Sequence, residues 1–110
     1  MRSVETGETD ETEMTAKDFR RIALTLPQVS ESAHMGHPDF RVGGRVFASL
    51  GYPRVGWGMV TLSPEEQELF VRMHPKAFSP AAGAWGRAGS TTVKLRAATK
   101  AAVREALTLA

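Results

Sequence analysis

Apolar and polar positions alternate with period two on both sides of Gly43-Gly44, and this alternation sits at the centre of the chain. Paired glycines take positive φ without steric cost, so two alternating runs joined by them predict a β-hairpin. The first strand spans about Phe40–Val42, with Phe40 and Val42 on one face and Arg41 on the other. The second spans about Arg45–Leu50, where Val46, Ala48 and Leu50 oppose Arg45, Phe47 and Ser49. A third strand, Val55–Leu62, sets Trp57, Met59 and Thr61 against Val60 and Leu62. Ser90–Arg96 alternates in the same way, with Thr91, Val93 and Leu95 inward and Thr92, Lys94 and Arg96 outward.

Helical spacing appears three times. Thr15 and Asp18 have the spacing of a capping box, and Phe19, Ile22, Ala23 and Leu26 then recur on one stripe until Pro27. Ser63-Pro64-Glu65-Glu66 is a second helix start, with a capping serine, proline in the first turn and acids at the positive end of the dipole. Leu69, Phe70 and Met73 make its expected apolar stripe, bounded by Pro75. From Ala97 onward an alanine-rich helix closes the chain. Between these lie a polar connector (28–36), a turn at Gly51-Tyr52-Pro53-Arg54 and a loop from Lys76 to Gly89, in which Trp85 is the expected start of a fourth short strand. The order α-βββ-α-ββ-α predicts an α+β, two-layer fold, an antiparallel sheet with helices on one face.

Composition narrows the function. The absence of cysteine excludes disulfides, thiolate zinc sites and a cysteine nucleophile. No apolar run is long enough to span a membrane, and no basic region followed by an apolar block marks a secretory leader, so a cytoplasmic protein with no membrane partner is expected. The net charge of +2 conceals an asymmetry. Residues 1–14 carry five acids against Arg2, and 15–110 carry 13 Lys plus Arg against 7 Asp plus Glu. Residues 1–14 are therefore expected to be a disordered acidic tail and 15–110 a single basic domain, one suited to a polyanionic partner.

Two constellations follow. If helices cover the Phe40/Val42 and Val93/Leu95 face, the opposite face presents Arg41, Lys94 and Arg96, with Arg45 near them. Either Phe47 or Trp57 with Met59 is interleaved, a pattern suited to weak DNA binding through phosphates and one stacking aromatic. The alternative is a small-molecule or protein-binding pocket between the His34–Pro38 loop and Trp85, with His34, His37 and Arg87 converging on it. His34-x-x-His37 finds no compelling third metal ligand. His37, Asp39 and Arg41 are the nearest thing to an acid–base cluster, but nucleophile and phosphate-loop motifs are missing. A non-enzymatic monomer without metal or cofactor is expected.

The residues Leu26-Pro27-x-Val29-x-Glu31, His37-Pro38-x-Phe40-Arg41-Val42-x-Gly44-x-Val46-Phe47-Ala48, Ser63-Pro64-Glu65, Phe78-x-Pro80-Ala81 and Trp85-Gly86 resemble the MmcQ/YjbR family of small bacterial proteins. The resemblance covers about residues 15–110 and implies a CyaY/frataxin-like fold, also described as a double wing, with DNA-binding as the family's usual label. It supplies no catalytic residues. Frataxin-like iron binding uses an acidic helix ridge, whereas Phe19-Arg20-Arg21-Ile22 is basic here. The chain ends at Ala110, where many relatives carry a longer last helix and a basic tail.

Overall fold

The computed structural model describes residues 14–34 and 36–110. Residues 1–13, the bulk of the expected tail, lie outside that range, but Met14, grouped with the tail, is buried in the core. Helix α1 (Ala16–Thr25) begins as its sequence predicts. The Thr15 hydroxyl accepts from the Asp18 N–H at 3.1 Å, and the Asp18 carboxylate accepts from the Thr15 N–H at 3.2 Å. Its stripe of Phe19, Ile22 and Ala23 is buried. Four strands follow: β1 (Val29–His34), β2 (His37–Val42), β3 (Arg45–Leu50) and β4 (Trp57–Thr61). Next come α2 (Pro64–Met73), β5 (Phe78–Pro80), a short α3 (Gly83–Arg87), β6 (Ser90–Lys94), a 3-10 turn (Leu95–Ala97) and α4 (Lys100–Leu109).

The six strands form one antiparallel sheet in the order β1-β2-β3-β4-β6-β5. Helices α1 and α4 pack together on one face, where α4 buries Ala102, Val103, Ala106 and Leu107. Phe19 meets Phe40 of β2 at a ring separation of 6.1 Å, and Val60, Phe78 and Val93 complete the floor of this core. The close approach of α1 depends on Gly58. A Cβ there would lie 3.1 Å from the Phe19 ring and 3.2 Å from the Ser49 carbonyl oxygen. Phe70 of α2 packs on Phe78 at 5.2 Å, so α2 braces the β5 side of the sheet. Its neighbours Leu69 and Met73, expected on the same stripe, are exposed.

The element order departs from expectation at four places. The connector 28–36 contains β1, an edge strand with the sequence Val-Ser-Glu-Ser-Ala-His that lacks apolar alternation. It is fastened to its neighbours by the whole length of β2 and by an ion pair from Arg20 of α1 to Glu31 at 2.6 Å. The strand after α2 is Phe78–Pro80, and Trp85 lies in α3 instead of a strand. The last strand stops at Lys94, so Arg96 belongs to the 3-10 turn. The fourth departure is a bulge. Phe40 pairs with Ala48 and Arg41 with Val46, leaving Phe47 without a partner. The alternation of β3 slips there: Phe47 and Ala48 are consecutive and both buried, while Val46 is turned outward.

Candidate functional site

Among the described residues, no helix layer covers the face of the sheet opposite α1 and α4. Its membership follows from the period of two and the pairing register, since directly paired residues point to the same side. Gly58 and Phe40 face the helices, so Trp57, Met59, Asp39 and Arg41 face the other way. Register carries this assignment across the sheet in rows. Asp39, Ser49, Met59, Thr92 and Ser79 form one row, and Trp57 and Lys94 belong to another.

Asp39 and Arg41 are two residues apart on β2 and lie on this uncovered face. The Arg41 Nε donates to Asp39 Oδ1 at 2.9 Å and its Nη2 donates to Oδ2 at 3.1 Å, a bidentate pair. Asp39 is 2% exposed, whereas the Arg41 side chain retains 32%. The guanidinium therefore lies over the carboxylate like a lid. Its hydrogen bonds hold the Asp39 carboxyl below the ordinary carboxylate range, against the opposing effect of burial. A guanidinium has two donor edges, and Asp39 occupies the one formed by Nε and Nη2. The edge containing Nη1 carries no hydrogen bond to a described residue. On this face Asp39 is the only carboxylate among the described strand residues.

At one end of the face the chain gathers cations. The β3–β4 loop (51–56) folds back through the Gly51 N–H to the Trp57 carbonyl at 2.8 Å and the Trp57 N–H to the Arg54 carbonyl at 3.1 Å. The Leu95 N–H donates to the Gly56 carbonyl, and the Lys94 N–H donates to the Ala77 carbonyl. These bonds bring Arg54, Lys76, Lys94 and Arg96 to the same end, around half-buried Trp57 and exposed Tyr52 and Val55. All four cations are exposed, and none lies within ion-pair distance of a carboxylate among the described residues. Glu65, Glu66 and Glu68 sit at the start of α2, at the opposite end of β4. The charge is thus polarised along the sheet.

The expected basic face is only partly assembled. Lys94 and Trp57 are paired neighbours, as the interface requires. Arg41 is on the face, but its charge is matched by Asp39. Arg45 pairs with Val42 and so points to the helix side, away from Arg41. There it lines a cleft of about 400 Å³ with Val42, Phe47, Leu62 and Leu109. Phe47 is 8% exposed and serves the core, not an interface. Arg96 leaves the face for the 3-10 turn, where it joins the cationic end.

The alternative pocket is not assembled. His34 and His37 sit at the hairpin end of β1 and β2, on one edge of the sheet. Trp85 and Arg87 belong to α3, which is tied at the other edge by Gln67 Nε2 donating to the carbonyls of Gly86 at 2.9 Å and Ser90 at 3.0 Å. The two pairs are separated by the width of the sheet. Among the described residues no three His, Asp or Glu side chains are grouped to hold a metal. Arg54, Lys76 and Tyr52 were not anticipated as site residues. The available signal was their placement in exposed turns beside the ends of strands that carry Trp57 and Lys94.

A family model described as YjbR matches residues 24–110. Among solved structures, the fold is similar to the crystal structure of Deinococcus radiodurans protein DR2400, a protein with a DUF419 domain. The TM-score is 0.70 at 20% sequence identity, covering 89% of this chain and 76% of that one. No curated protein matches the chain.

Proposed function

The chain belongs to the YjbR family, and from that premise we propose that it is a non-enzymatic cytoplasmic protein that binds nucleic acid through phosphate contacts at the cationic end of its sheet. One observation carries this reading. Arg54, Lys76, Lys94 and Arg96 come to one end of the fold with no carboxylate paired to them among the described residues, around an accessible tryptophan. Unpaired cations on a surface of one sign attract a polyanion and release its counterions on binding. The buried acid of the uncovered face supports binding over catalysis. Asp39 is held ionised by Arg41 and is unsuited to proton transfer near neutrality.

The interface corrects the one drawn from the sequence. Lys94, Arg96 and Trp57 remain in it, Arg45 and Phe47 leave it, and Arg54 and Lys76 enter it. Fluorescence anisotropy with labelled oligonucleotides over a salt series tests it. Affinity should fall linearly in log–log form, with a slope of roughly −0.7 to −0.9 per phosphate contact. Changing Arg54, Lys94 and Arg96 together to Gln should flatten that slope by about two to three. An unchanged slope in the triple variant would move the interface elsewhere, and no binding at low salt would end the reading.

A further inference from the structure

One row of side chains crosses the uncovered face at its cationic end. Trp57 pairs with Lys94, and on its other side the Trp57 carbonyl accepts the Gly51 N–H. Gly51 in turn lies under His37. A Cβ on Gly51 would stand 2.8 Å from His37 Nδ1, so the imidazole fills the space that a side chain at 51 would occupy. The row therefore reads His37, Gly51, Trp57, Lys94, with two ring side chains two strands apart and a cation beside the second. Strands are spaced about 4.8 Å apart, which sets the ring-bearing strands roughly 10 Å apart. The neighbouring row holds half-buried Ser49, Met59 and Ser79 and the buried Thr92, whose hydroxyl is bonded to Ser79. Beyond it Arg41 turns its remaining donor edge outward.

We infer that this face takes single-stranded nucleic acid, with bases lying on Trp57 and His37 and phosphates meeting Lys94 and Arg54. The inference rests on the nucleic-acid reading above and specifies its substrate. A duplex hides its base planes in the stack and offers phosphates and groove edges. Trp57 and His37 project from the face two strands apart, and the base planes of a duplex could reach both only after it is unstacked. An unstacked base presents a flat surface that such rings can accept, and aromatic stacking tolerates any base. Charge agrees with this occupant. The only carboxylate among the described strand residues of the face is Asp39, and it lies beneath Arg41. The face mixes apolar Trp57, Met59 and Val46 with cations, and those cations favour a polyanion over a second copy of this basic chain.

Trp57 is itself the reporter. In a Trp85→Phe background it is the only tryptophan, and Trp85 is 74% exposed, so its replacement leaves the core intact. Oligodeoxythymidine should quench Trp57 emission and bind at least about tenfold more tightly than a duplex of equal length, matching one to two stacked bases. Trp57→Leu should lose most of that preference, and His37→Ala, at an exposed position, should lose about fivefold in single-strand affinity with duplex binding unchanged. Equal or tighter duplex binding without quenching overturns the single-strand inference and leaves the phosphate interface standing. Failure of both oligonucleotides to bind at low salt overturns the interface as well. A concentration-dependent dimer that shields Trp57 from acrylamide assigns the face to a second copy and overturns the inference too.

Discussion

Asp39 and Phe40 are adjacent in β2 and both are almost wholly buried, at 2% and 0% exposure. Phe40 is buried by another layer, since Phe19 of α1 descends on it. Asp39 is buried by its own strand, under a guanidinium two residues away. Burial of the first kind removes apolar surface from water and supplies stability. Burial of the second kind strips water from a carboxylate, and the pair recovers that cost only through good geometry. What it provides is a guanidinium held in one orientation on a face that no helix of the described residues covers. The two faces of one sheet thus divide the work: one holds the fold together, and the other keeps side chains in fixed places.

The largest effects should come from the covered face. Phe19→Ala empties the contact between α1 and the sheet and should cost about 3–5 kcal/mol in urea unfolding. Gly58→Val forces a side chain against the Phe19 ring and the Ser49 carbonyl and should cost about 2–3 kcal/mol. A loss under about 0.5 kcal/mol in either, the scatter of ordinary surface changes, would break the comparison.

On the uncovered face, Arg41→Met should destabilise the fold at neutral pH, by less than either change on the covered face, because it leaves Asp39 without its donor. Asp39→Asn should cost less, because Arg41 keeps access to water. The acid dependence sharpens the point. Asp39 titrates below its unfolded value, so its contribution is present above pH ~3.9 and is lost as pH falls through the lower folded value. The gap between wild type and Arg41→Met should therefore be widest near neutrality and close on acidification below about pH 4. Smallest of all, Ser32→Ala on exposed β1 should change stability by less than about 0.5 kcal/mol.

Helix starts and the covered face were legible in the sequence because their signals are local. Thr15 with Asp18 and Ser63 with Pro64 and Glu66 cap their helices within one turn, and both boxes are closed in the structure. β1 was not legible. Ser30, Glu31 and Ser32 carry no apolar alternation, and the strand exists because β2 offers it a partner through the whole register. The uncovered face was half legible. Period two leaves Phe47 and Trp57 as alternatives for the aromatic on the basic face, and it sets Arg45 near Arg41 although a two-residue hairpin pairs Arg45 with Val42. The hairpin's own register already contained that correction. Arg54 and Lys76 escaped notice because turns have no period, and backbone bonds to Gly56 and Ala77 bring them to the site.

The unpaired residue of β3 has a consequence for how chain length can vary. On either side of Phe47 the ladder runs in step with β2, from Val42–Arg45 and Arg41–Val46 to Phe40–Ala48 and Asp39–Ser49. Omitting position 47 would leave every one of those partnerships in place, at the expense of one core ring. Adding or losing a residue anywhere else in β3 would displace the strand beyond it and reverse which side chains meet the helices. Position 47 is thus the one point of this strand where an insertion or deletion is absorbed locally, and alignments of relatives should be allowed a gap there before the glycine turn is moved.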